Sequence, residues 1–238
     1  MNFKNISGIV LLLFTGILSF EVVAKNDNWP EFSVPEESRL TVVSENMKFN
    51  GVDMRSWELN SHKGPEYILK YYRKIWDKPV KSSAEGAPGY IENELDGWVV
   101  LSRVEGDYLL TVQVDNINKK KGNALLGISN LPGHEGKIVL GKGFPMPGGS
   151  KVVNDIYSTD IGKKSRLLVI QSSRPLMKAY NFYRRKYLSK GWVELSKPHE
   201  KNKNMIALVL VKGTDELNIT FEKQSGNTNI IAVMVKTS

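Results

Sequence analysis

The feature that most narrows what this chain can become is a correspondence between its two halves. Pro35-Glu36-Glu37-Ser38-Arg39-Leu40 matches Pro147-Gly148-Gly149-Ser150-Lys151-Val152 at an offset of 112, and Tyr71-Tyr72-Arg73-Lys74 matches Phe182-Tyr183-Arg184-Arg185 at 111. Gly106-Asp107-Tyr108-Leu109-Leu110-Thr111-Val112 matches Gly213-Thr214-Asp215-Glu216-Leu217-Asn218-Ile219 at 107, and Gly122-Asn123 matches Gly226-Asn227 at 104. The offset shrinks in one direction, as loop deletions produce. Self-similarity of this kind predicts one folding unit used twice. The expected division is a first repeat over 34–130, a Gly/Pro-rich linker over 131–146 and a second repeat over 147–238, with 25–33 as an extended lead-in.

Local patterning predicts the elements of each repeat. In the second, Ser150–Tyr157 and Arg166–Gln171 read as strands, then Arg174–Ser189 as a helix, then strands at Trp192–Leu195, Met205–Val211, Glu216–Glu222 and Asn229–Val235. Ser173 suits the helix cap and Pro175 its first turn, where a missing N–H costs nothing. Leu176, Ala179, Tyr180, Tyr183 and Tyr187 recur at three- and four-residue steps and form one apolar stripe. Gly191 can take the left-handed conformation that ends a helix. Lys212-Gly213-Thr214-Asp215 reads as a tight hairpin loop. Leu217, Ile219 and Phe221, and likewise Ile231, Val233 and Val235, alternate with other residues and are expected on one buried sheet face. The first repeat should hold a helix from Pro65 to Trp76 with Ile68, Tyr71, Tyr72 and Ile75 inward, and a surface loop at Val80–Gly89. Ile138–Leu140 could add a short strand. The expected fold class is α+β: two tandem copies of a mainly antiparallel sheet with one helix packed on one face, in the order β-β-α-β-β-β.

A helix carrying Phe182-Tyr183-Arg184, followed by Gly191-Trp192 and preceded by Pro145-Met146-Pro147-Gly148-Gly149-Ser150, resembles a small α/β domain found in exported bacterial proteins of unknown function. The first half departs from it, since Gly97-Trp98 comes a strand later. The resemblance implies an envelope location and no known catalysis.

The N-terminus agrees with export. Lys4 precedes an apolar stretch from Ile9 to Phe20, and Val22-Val23-Ala24 offers a cleavage site. Roughly 12 apolar residues fall short of the ~20 that a spanning helix needs. The reading is a signal peptide over 1–24 cleaved after Ala24, and a periplasmic product. The chain has no Cys, which excludes a lipid anchor at that site, a disulfide scaffold and Cys-ligated metal.

Catalytic patterns are scarce. There are three His, with no His-Glu-x-x-His, so no metal site and no cofactor are expected. Gly136–Gly143 fails as a phosphate loop, because Gly143 stands where a Ser or Thr must be and Pro145 and Pro147 follow. Gly-x-Ser-x-Gly and Ser-x-x-Lys are missing. Glu92-Asn93-Glu94-Leu95-Asp96 is the densest carboxylate set and reads as a solvated edge. The expected protein is not an enzyme.

Charge is the informative property. The net formal charge is +8, yet 34–130 carries 13 Lys+Arg against 14 Asp+Glu and 145–238 carries 16 against 7. Arg174, Lys178, Arg184, Arg185, Lys186 and Lys190 crowd the second helix with no acid between Arg174 and Lys190. Such residues complement the negative end of a helix dipole, and they also form a candidate partner-binding face. The expectation is an exported accessory or adaptor protein of the bacterial envelope that binds an acidic protein through its basic second domain. The alternative is a binding module for an anionic polymer: glycan, lipopolysaccharide or other lipid headgroup, or DNA.

Overall fold

The computed structural model describes residues 29–80, 88–117, 119–131, 138–160, 162–195 and 204–237. The expected signal peptide, His134, His199 and parts of the lead-in, of the Val80–Gly89 loop and of the linker lie outside them. The elements run β1 (Ser38–Phe49), β2 (Val52–Ser61), α1 (Pro65–Trp76), β3 (Ile91–Leu95), β4 (Trp98–Glu105), β5 (Tyr108–Asp115) and β6 (Gly122–Asn130). They continue with β7 (Ser150–Asp160), β8 (Lys163–Ser172), α2 (Leu176–Leu188), β9 (Val193–Glu194), β10 (Met205–Lys212), β11 (Asp215–Gln224) and β12 (Asn227–Thr237).

The strands join in one twelve-stranded sheet, in the order β3-β4-β5-β6-β2-β1-β7-β8-β12-β11-β10-β9. This corrects the expected pair of α+β copies. Among the described residues strand accounts for 56% and helix for 14%, so the fold is mostly antiparallel β. The physical reason lies in β1. It is 12 residues long, about twice the usual strand. Its last residues, Met47–Phe49, pair with Ser158–Ile156 of β7. Unpaired edge donors and acceptors are satisfied by the next available strand, and here that strand belongs to the other half of the sequence.

By contact density the chain divides into two compact units: residues up to Glu45 with Met54–Leu131, and Asn46–Asp53 with Pro132–Ser238. In the first, α1 lies on β4, β5 and β6. Leu101, Val112 and Leu126 stand opposite one another and are fully buried under Ile68, Leu69 and Tyr72. Each such aliphatic side chain contributes about 1.5–3 kcal/mol by leaving water. The helix is rotated slightly from its expected setting: Leu69 and Trp76 are buried, while Ile75 is exposed and Tyr71 half-buried.

In the second unit α2 lies on β10, β11 and β12. All five residues of its apolar stripe are buried. Lys212 pairs with Asp215 across the tight turn. Strand β12 presents the opposite phase from the alternation read in the sequence. Ile219 stands opposite Ala232, and the helix-side core takes Ile230 and Ala232; Ile231, Val233 and Val235 are half-buried on the other face. The segment Ile138–Leu140 is not a strand, and Val139 is exposed.

The segment Asn46–Asp53 is fastened to the second unit by a buried polar cluster. Asn50 takes a left-handed φ of 51°, which lets it and Gly51 (φ 87°) turn the chain back between β1 and β2. Its backbone N–H donates to Asp155 O at 2.9 Å and its side-chain oxygen accepts the Asp155 N–H at 2.8 Å. Its amide also donates to Asn154 Oδ1. The Asp155 carboxylate accepts both Nε and an Nη of Arg166, at 2.9 and 2.8 Å, and the Gly141 N–H at 2.7 Å. Arg166 in turn donates to Lys142 O and lies over the Tyr157 ring, 4.4 Å from its centroid.

Candidate functional site

The basic face of α2 starts from local sequence. The helix starts later than expected: Pro175, at φ −55° and ψ 145°, takes the N-cap place expected of Ser173. It has no side-chain acceptor to cap with, while the Ser173 hydroxyl donates to Gly149 O. The aromatic stripe turns inward, so the intervening residues must face water. At the C-terminal end Gly191 takes φ 80° and its N–H donates to Leu188 O, while the Trp192 N–H donates to Tyr187 O. These bonds satisfy carbonyls left open by the last turn.

The six candidate residues separate into three kinds. Arg174 is half-buried and structural: its Nε donates to Gly148 O at 3.3 Å, and its carbonyl accepts the Thr228 hydroxyl at 2.7 Å. Arg184 is neutralised. Its Nε donates to Glu194 Oε2 at 2.7 Å, and the Tyr180 hydroxyl donates to Glu194 Oε1 at 2.8 Å. Burial raises the Tyr180 hydroxyl pKa to about 12, with the Glu194 hydrogen bond adding to it. The Glu194 carboxylate also raises Arg184. Neither phenol nor guanidinium is poised to lose a proton near neutrality.

Lys178, Arg185, Lys186 and Lys190 are exposed and have no carboxylate partner among the described residues. Arg185 only returns its Nε to Asn181 O in its own helix. Lys178 and Arg185 are seven residues apart and so share a face, with Lys186 one step round. Lys212, which the sequence reading did not include, donates its Nζ to Lys190 O at 2.8 Å and brings a further cation to the helix end. Exposed Met177 lies beside Lys178.

Helix α1 offers the contrast. Its Arg73 forks onto Glu92, with Nε–Oε2 at 2.9 Å and Nη–Oε1 at 2.7 Å, and a second Nη reaches Glu66 at 2.9 Å. The Arg73 hydrogen bond holds Glu92 below the ordinary carboxylate range. Lys63 is closed by Glu37 at 3.1 Å and Lys48 by Asp53 at 2.6 Å.

Among the described residues no three His, Asp or Glu groups converge to hold a metal ion, and no helix is long and apolar enough to cross a membrane. Compared with family models, curated proteins and solved structures, the chain matches none.

Proposed function

We propose that this protein is an exported, non-catalytic adaptor of the bacterial envelope whose second unit docks an acidic protein partner on the solvent face of α2. The observation that carries the reading is the set of exposed cations Lys178, Arg185 and Lys186, which have no carboxylate partner among the described residues, in contrast to Arg73 of α1, which is enclosed by Glu66 and Glu92. Unpaired cations on one rigid face make a surface that steers and registers an anionic counterpart. The well-formed buried carboxylate clusters, Asp155 with Arg166 and Glu194 with Tyr180 and Arg184, are already saturated by protein donors. The export signal read at 1–24 supports the envelope location.

The test is reversal of Lys178, Arg185 and Lys186 to Glu. Arg184 is left alone, because changing it would break its pair with Glu194. In chemical crosslinking from envelope extracts, the wild-type protein yields a discrete adduct with an acidic protein, and the triple variant loses it. Retention of that adduct in the variant sinks the proposal. Complete displacement by heparin or DNA at low salt, with no protein adduct, assigns the face to anionic polymer instead.

A further inference from the structure

The first unit has an exposed, acidic strand at one end of the sheet order. Strand β3 ends the sheet order and, among the described residues, pairs with β4 alone. All five of its residues are exposed, including Ile91 at 68% and Leu95 at 47%. No described residue supplies a backbone bond to its outer side.

The turn settles which groups face that side. Asp96 (φ 50°) and Gly97 (φ 85°) form a two-residue loop with Leu95 opposite Trp98. In such a turn the closing pair exchanges hydrogen bonds, and every second pair beyond it does so too. Leu95, Asn93 and Ile91 therefore direct their backbone groups at β4. Glu94 and Glu92 direct theirs outward.

The side chains divide by face. Glu92 stands opposite Leu101 and Glu94 opposite Val99, on the side where α1 packs; Ile91 and Leu95 stand opposite Ser102 and Trp98 on the other. Glu92 is taken by Arg73, whereas Glu94 has no cationic partner among the described residues. Asp96 extends the acidic edge into the turn.

We infer that β3 accepts an extended peptide strand whose residues alternate between basic and apolar. Backbone groups of Glu92 and Glu94 would continue the ladder, a Lys or Arg would lie beside Glu94, and an apolar residue would cover Ile91 or Leu95. Strand addition of this kind draws affinity from the backbone and selectivity from alternate side chains. A second copy of this chain is a poor occupant, because antiparallel β3–β3 pairing brings like carboxylates together across the strands.

The test uses the full chain and a fluorescein-labelled peptide of alternating lysine and valine, with an alternating glutamate and valine peptide as its counterpart. Fluorescence anisotropy shows binding of the basic peptide, whereas the acidic peptide binds through the cationic face of α2 and does not respond to position 94. Glu94→Pro removes an outward N–H without touching the β4 ladder, and weakens the basic peptide about tenfold or more. Should that variant not fold by circular dichroism, Glu94→Lys serves in its place and shifts preference toward the acidic peptide. In the α2 triple reversal the acidic peptide is lost, while binding of the basic peptide still depends on Glu94. Failure of the basic peptide to bind, or insensitivity of its binding to position 94, overturns the inference. So does a dimer in light scattering that Glu94→Lys dissolves, since the occupant is then the chain itself.

Discussion

Tyr72 on α1 and Tyr183 on α2 are both completely buried, and their hydroxyls fare differently. The Tyr72 hydroxyl donates to Ser33 O at 2.9 Å, whereas the Tyr183 hydroxyl has no partner among the described residues. Burial raises both phenol pKa values, so neither ionises in the working range. An unpaired buried hydroxyl costs stability, while a satisfied one contributes about 1 kcal/mol. Tyr183→Phe is therefore expected to leave the urea midpoint unchanged or raise it, and Tyr72→Phe to cost about 1 kcal/mol. Glu92 provides a pH signature at the same scale. Its folded pKa lies below the ordinary 4.5 because of Arg73, so its stabilisation is present above 4.5 and vanishes as pH falls through the folded value. Urea midpoints between pH 6 and pH 3 should fall less steeply in Glu92→Gln than in the wild type. The tyrosine stripe was legible because helical periodicity is local. The fate of each hydroxyl was not, because Ser33 is 39 residues from Tyr72.

At the scale of elements, the two helices and the strands read in the second repeat exist with ends moved by a few residues, while the strand considered at Ile138–Leu140 does not form. Their facing was harder. Ile230–Val235 is apolar on both phases, so alternation alone cannot say which set meets the helix; the pairing of Ile219 with Ala232 decides it. The basic helix residues were visible as a run, but which were free was not. Glu194 reaches Arg184 from a separate strand and Gly148 reaches Arg174 from a loop. The fastening of the Asn50 turn was missed altogether, although Asn-Gly between two extended runs is a strong hairpin signal. Its partner is 105 residues away. Asp155→Ala strands Arg166, whose side chain is 13% exposed, and removes the acceptor of Gly141 N–H. The expected loss is about 3–5 kcal/mol in thermal or urea unfolding. A loss under about 1 kcal/mol would mean that water replaces the carboxylate, as at an exposed ion pair.

For the whole molecule, the sequence predicted two tandem copies, each with its own mainly antiparallel sheet and one helix, and the chain builds one sheet of twelve strands. Strand propensity and turns reveal where strands are. They do not reveal which free edges meet, since that depends on groups brought together only by the completed fold. The charge division between the halves was plain from counting, and it fits a molecule offering a cationic helix on one unit and an acidic strand edge on the other. The composition of the second unit carries a consequence for biogenesis. Asn46–Asp53 emerges from the ribosome about a hundred residues ahead of β7, the strand to which it bonds. Until β7 appears, those donors and acceptors are left to water or to a chaperone. Closing so wide a loop is slow, so the turn stays open until the second half of the chain has been made.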